Sequence, residues 1–201
     1  MKKIIEAEGV TEYRPGPHLA RLEARFDASG AVVLLLDVSS SMHSDMESAI
    51  RGALGFVDEA SEGGYQVGAA LWSTEVEASE RPSKDIAQVK ELLRGARAWG
   101  GTNATPALLW AGSELLALDV KDRVIAIFGD GDLGDEERAK AIGSGLAAEG
   151  VRIITLGLGS ASAQALSVVA TEAEHVGEAT HSTLSEDIRG LARGLTMRKN
   201  R

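Results

Sequence analysis

The segment LLLDVSSSM, residues 34–42, places one carboxylate and three hydroxyls directly behind a run of aliphatic residues. Two further polar clusters occupy comparable places: Gly100-Gly101-Thr102-Asn103, and Gly129-Asp130-Gly131-Asp132 behind the apolar run Val124 to Phe128. Asp37, Ser39, Ser41, Thr102 and Asp130 are all oxygen donors. Two carboxylates and several hydroxyls gathered in a partly desolvated crevice repel or go unpaired unless a cation joins them. Carboxylates mixed with neutral oxygen ligands suit Mg²⁺, a hard ion that usually keeps some of its waters.

For these groups to meet, the chain must bring the ends of several strands to one edge. After Gly30 the sequence alternates short aliphatic runs with longer amphipathic stretches, the pattern of a parallel sheet with crossover helices. Residues 31–36 read as a strand buried on both faces. Met42, Met46, Ala49, Ile50, Ala53 and Val57 fall at helical spacing, closed by Gly63-Gly64. Residues 66–72 and 75–78 read as two strands joined tightly through Ser73-Thr74, an antiparallel hairpin. Ser83 is expected to cap a helix with Ile86, Val89 and Leu92 or Leu93 inward, and Thr105 to cap another, with Pro106 in its first turn. A strand over 124–128, a helix over 135–148 with an acidic first turn, and a strand over 151–156 follow. A helix from about Ser162, a short strand near His175, and a last helix carrying Ile188, Leu191 and Leu195 complete the pattern. Thr183 and Glu186 have capping-box spacing for that last helix. The fold expected is α/β: a doubly wound, Rossmann-like, mostly parallel sheet with one antiparallel hairpin strand and helices on both faces. Ligands of such sheets bind outside the carboxyl ends of the strands, where Asp37 and Asp130 would both lie.

Residues 1–30 break this pattern at Arg14-Pro15-Gly16-Pro17, and Leu22, Ala24 and Phe26 then alternate with Glu23 and Arg25 as in an edge strand. They read as an extension to a domain spanning 31–195, with a basic tail at 196–201.

Each cluster alone has an ordinary structural explanation. Ser and Asp after a strand cap helices, and Gly or Asp in a loop supplies turn geometry. Their occurrence together, in order, at strand ends favours a shared site. An EF-hand-type calcium loop starting at Asp130 is excluded, because it needs Gly at its sixth position and Glu at its twelfth, where Asp135 and Ala141 stand. His18, His43, His175 and His181 lack ligand spacing and read as surface or strand-end residues, with His43 possible at the site's rim. Trp72 and Trp110 read as core, while Trp99 fits either an aromatic contact beside the site or core packing.

The ordered set Asp37-x-Ser39-x-Ser41, Thr102 in GGTNATPAL and Asp130 in FGDGD, followed by GVRIITLGLG, resembles a von Willebrand factor A-type domain over residues 31–195. That resemblance implies a metal-ion-dependent adhesion site. In it Ser39, Ser41 and Thr102 contact Mg²⁺ directly, with Mn²⁺ or Ca²⁺ as substitutes, and Asp37 and Asp130 bind directly or through water. An open position then takes a Glu or Asp carboxylate from a partner protein. Gly129 departs from the family, which often has Thr there. The intracellular prokaryotic members suggest partners such as an AAA+ ATPase of the MoxR or chelatase type, or a stress-response protein.

Composition limits the remaining choices. A formal charge of −9 argues against a nucleic-acid binder and favours a partner with a basic surface. There is no Cys, which suits a reducing compartment. No apolar run approaches the roughly 20 residues that span a bilayer, so a cytoplasmic protein without a membrane partner is expected. No Ser-His-Asp set or GxSxG elbow is present, and no catalytic residue is assigned. Two alternatives stand beside the interaction module. One is a haloacid-dehalogenase-like Mg²⁺ phosphatase using Asp37, Thr102, Lys121 and the GDGDLGD loop, against which Ser39 stands where a second Asp would be needed. The other is a metal-free scaffold of the same fold, hinted at by Gly129.

Overall fold

The structure, a computed structural model, describes residues 30–171 and 176–197. Six strands form one sheet: β1 (Gly30–Asp37), β2 (Tyr65–Trp72), β3 (Val76–Ser83), β4 (Asp122–Gly129), β5 (Val151–Leu158) and β6 (Val176–Ala179), in the order β3-β2-β1-β4-β5-β6. All neighbours pair in parallel except β2 with β3. The expected α/β architecture, with its antiparallel hairpin, is therefore the observed one. The helices are α1 (Met46–Glu62), α2 (Ala87–Arg94), α3 (Thr105–Leu116), α4 (Glu136–Ala148) and α5 (Ser160–Leu166) between strands, and α6 (Leu184–Met197) after β6.

The near-continuous aliphatic character of β1 follows from its central place. Val32, Leu34 and Leu36 enter one core with α1, α2 and α6, while Ala31, Val33 and Leu35 enter the other with α3 and α4. Both faces are covered, so every side chain of β1 is buried. At the amino edge of the parallel strands, Arg152 forks onto Asp122 at 2.9 and 2.7 Å. The Tyr65 hydroxyl donates to the same carboxylate at 2.5 Å and lies 3.1 Å from the Leu195 carbonyl. This partly buried cluster ties α6 to the sheet at the edge opposite the candidate site.

Several local expectations change. The helix expected from Met42 begins at Met46, because Ser40–Ser44 form a 3₁₀ turn first. β3 runs to Ser83, well past the expected end at 78. Ser83 therefore does not cap α2; its hydroxyl accepts the Asp85 amide and Asp85 accepts the Ala87 amide. Thr105 lies within α3, and the Asn103 side chain accepts its amide at 3.1 Å. Thr183 exchanges hydrogen bonds with Thr180 in place of a capping box. Residues 1–29, including the expected edge strand and His18, lie outside the described residues, as do His175 and 198–201.

The acidic start of α4 is as expected. Asp135 is its N-cap and accepts the Arg138 amide at 3.0 Å. Asp135→Ala is expected to cost about 1 kcal/mol, read as a lower midpoint in urea unfolding with an unchanged slope.

Candidate metal-binding site

The direction of chain progression reverses between β1 and β4, so the crevice of the sheet opens at their carboxyl ends. Asp37 is the last residue of β1, and Asp130 follows the last residue of β4. Asp37 is fully buried, and its Oδ1 accepts the Ser39 amide at 2.7 Å. Its Oδ2 is buried and makes no hydrogen bond of good geometry, although the Asp130 backbone N–H lies close enough to the carboxylate to pull its titration down. Burial pushes the Asp37 carboxyl up to about 6, against the lowering pull of hydrogen bonds from Ser39 and the Asp130 backbone amide, and the neighbouring Asp130 carboxylate adds to the rise. The hydroxyls of Ser39 and Ser41 lie 3.0 Å apart, Ser39 buried and Ser41 exposed.

The loop carrying Thr102 is fastened at both ends. At one end the Trp99 amide donates to the Val38 carbonyl at 2.7 Å, and the Gly100 carbonyl accepts the Ser40 hydroxyl at 2.8 Å. Gly100 has φ +80°, and an added Cβ would stand 2.8 Å from the Ser73 hydroxyl, so glycine is required there. At the other end Asn103 N–H donates to the Ser73 carbonyl at 2.7 Å and Ala104 N–H to the Leu133 carbonyl at 3.1 Å. Thr102 is half-buried between these anchors. Asp130 is held from α5, where the Ser162 hydroxyl donates to its carbonyl.

Thus the loops bearing Asp37, Ser39 and Ser41, Thr102, and Asp130 form one cluster at the carboxyl edge of the sheet. Direct proximity is seen for Asp37 with Ser39, Ser39 with Ser41, and Asp37 with Asp130; Thr102 is placed by its loop. The donor set fits a hard cation: a buried carboxylate oxygen without a well-formed hydrogen bond, a second carboxylate beside it, and paired hydroxyls. Among the described residues no group of three or more His, Cys, Asp or Glu is placed to hold a metal.

Lys121, the lysine a phosphatase would require, precedes β4 at the wrong edge. Asp122 pairs in register with Gly30, at the opposite end of β1 from Asp37. Seven residues of strand separate those levels, roughly 23 Å at 3.3 Å per residue.

The family model for the von Willebrand factor type A domain matches residues 32–132, half of the chain and all five candidate positions. The chain belongs to this family. No match was found among curated proteins. Among solved structures, the vWF domain of the type V pili tip protein Mfa5 from Porphyromonas gingivalis is similar at TM-score 0.77 and 14% identity, over 87% of this chain and 97% of that one. Proximal thread matrix protein 1 from the mussel byssus is similar at TM-score 0.69 and 22% identity, over 86% of this chain and 48% of that one. BatB from Bacteroides thetaiotaomicron follows at TM-score 0.61 and 18% identity, over 81% and 98%. One structure of the mussel protein has a zinc-occupied MIDAS motif. At these identities the neighbours show a shared von Willebrand factor type A fold.

Sequence reasoning missed one contact of this type A domain. His181 is on the surface as expected, but its ring also bonds the buried Asp45 carboxylate at 2.5 Å, joining the start of α6 to the start of α1. Burial raises the Asp45 carboxyl, but the bonds from His181 and Ser44 outweigh it and hold the group below its ordinary value. Nothing in the local spacing of a lone His signals a partner this distant in sequence. Trp110, read as core, packs against the core while half-buried, Trp72 is fully buried as expected, and Trp99 is 58% exposed.

Proposed function

We infer that this domain is a Mg²⁺-dependent protein-interaction module that captures a partner's Glu or Asp carboxylate and has no catalytic activity of its own. The observation that carries this reading is the buried Oδ2 of Asp37, without a well-formed hydrogen bond, beside Asp130 and the Ser39–Ser41 hydroxyl pair. Asp37, Ser39, Ser41, Thr102 and Asp130 would hold the ion. A divalent cation bound mainly by neutral hydroxyls keeps enough charge to attract a further carboxylate. Asp37 and Ser39 set the buried floor, while exposed Ser41 stands on the open side.

The family and the place of Lys121, at the other edge of the sheet from Asp37, support the interaction module over a phosphatase. Gly129 is also consistent with an intact site, since an added Cβ would come within 2.8 Å of Asp37 Oδ2. The partners to test first are an AAA+ ATPase of the MoxR or chelatase type and stress-response proteins. Among the described residues no helix is long and apolar enough to cross a membrane. The lack of Cys supports a cytoplasmic setting, although the fold is also found in a pilus tip protein.

Calorimetric titration of Mg²⁺ and Mn²⁺ into chelator-stripped protein tests the reading. One site is expected, weakened at least tenfold in Thr102→Ala with an unchanged circular dichroism spectrum. Absence of a site for either ion would overturn it.

A further inference from the structure

Trp99 and Leu109 are the exposed large hydrophobic side chains among the described residues, and Trp99 is the more exposed at 58%. Its backbone is not loose. The Trp99 amide is bonded to Val38, and the next residue, Gly100, takes both the amide and the hydroxyl of Ser40. An indole in water on a fixed backbone carries a large apolar surface to an interface at little ordering cost. The backbone that carries it is bonded directly to the Asp37–Ser41 loop.

The other end of the Thr102 loop meets a different chemistry. Leu133 accepts the Ala104 amide, and around Leu133 lie the exposed side chains Asp132, Asp135, Glu136 and Glu137. Within 132–138 Arg138 is the one exposed cation, so the flank is net acidic. Near Trp99 the charged neighbour is Arg97, whose guanidinium bonds back to the Ala96 carbonyl at 2.7 Å. The rim is therefore polarised: aromatic at one end, acidic at the other, with Thr102 between. Trp99 and Ala104 are five residues apart, at most about 17 Å of extended chain. One short extended peptide covers that span.

We propose that the domain's partner presents a three-part segment: an aliphatic or aromatic side chain over Trp99, the captured carboxylate about two residues away, and a Lys or Arg facing the Asp132–Glu137 flank. This rests on the carboxylate-capturing role inferred above and assigns its specificity. The apolar contact supplies a buried anchor of the kind that dominates interfaces. The basic residue selects orientation and partner through charge complementarity with a chain of net charge −9.

The test uses the full chain with saturating Mg²⁺ and fluorescein-labelled heptapeptides: Gly-Leu-Gly-Glu-Gly-Lys-Gly, its reversed order, and versions with Ala for Leu or Lys. Anisotropy should show one Leu/Lys order binding at least tenfold more tightly than the doubly Ala-substituted peptide, with loss in EDTA. Unlabelled peptide should shift the protein's indole emission to the blue as Trp99 leaves water. Trp99→Ala should erase the advantage of Leu, leave the advantage of Lys and retain Mg²⁺ affinity. Glu136→Lys with Glu137→Lys should erase the advantage of Lys. Equal binding of all peptides, undetectable binding of any, or a Leu advantage that survives Trp99→Ala would overturn the proposal. If Mg²⁺ titrates to one Asp37-dependent site while the peptides are not distinguished, the metal-binding reading stands and this inference falls. If no Mg²⁺ binds, both fall.

Discussion

Asp37→Asn is expected to abolish the divalent-cation site and, in the same molecule, to make the metal-free protein more stable at neutral pH. The two effects share one cause. The Asp37 carboxyl is raised from 3.8 to about 6 by burial, with Asp130 adding to the rise. For an acid whose folded value is raised, the native state holds its proton longer than the unfolded chain does. The contribution of Asp37 to stability is then greatest below 3.8, falls as pH rises through the interval to about 6, and is level above it. A shift of this size corresponds to about 3 kcal/mol of destabilisation at neutral pH. The amide of Asn removes the charge at the cost of an imperfectly paired N–H, leaving a net gain of about 2 kcal/mol, or roughly 5 °C in melting temperature.

The measurement is thermal unfolding of the wild type and Asp37→Asn in EDTA from pH 4 to 8, repeated with Mg²⁺. In EDTA the wild type should lose stability between pH 4 and 6 while the variant does not follow it down. With Mg²⁺ the wild type should regain stability and the variant should not, since a ligand that binds only the folded state adds stability by mass action. A variant less stable than the wild type in EDTA at pH 7.5 would show that Asp37 is held by favourable interactions and needs no cation.

That Asp37 could be singled out from sequence at all follows from its setting. A strand buried on both faces shows as an unbroken aliphatic run, so its carboxyl end is legible to within a residue, and the hydroxyls behind it are then assigned to the crevice. The same logic placed Asp130 after Phe128. Less legible were features decided by short-range competition among polar residues. Ser83 had the chemistry of a cap, but β3 continued through it and passed the role of first-turn acceptor to Asp85. Thr105 had the same chemistry, yet Asn103 accepts the amide. Met42 matched the helical period of α1 although the backbone there is a 3₁₀ turn, because a single apolar residue facing the core satisfies both geometries. The exposure of Trp99 could not be read from sequence, since an indole beside a Gly pair suits a core as well as a rim. Its loop's bonds to Val38 and Ser40 decide it.

Gly129 gives the second large effect. Where the family often has Thr, this chain has no side chain, and substitution to Thr puts a branched group against the candidate ligand. The added Cβ would sit 2.8 Å from Asp37 Oδ2 and 3.0 Å from Asp37 Cβ, closer than van der Waals contact allows. Neither group yields easily: Gly129 is fixed by pairing with Gly157 of β5, and Asp37 by pairing with Trp72 of β2 and by the Ser39 amide. Overpacking of this kind costs about 1–3 kcal/mol, and the carboxylate must turn from its present direction to relieve it. Gly129→Thr is therefore expected to lower Mg²⁺ affinity by more than tenfold as well as to lower stability, both read from calorimetric titration and urea unfolding of the same preparation. Gly129→Ala should show the same direction with a smaller loss, because it adds the clashing Cβ without the branches. The opposite result, a Gly129→Thr variant that binds Mg²⁺ more tightly than the wild type, would mean that the glycine marks a lost hydroxyl ligand. Tighter packing around Asp37 and weaker binding together would instead show that the site in this chain is built around the absence of a side chain at 129.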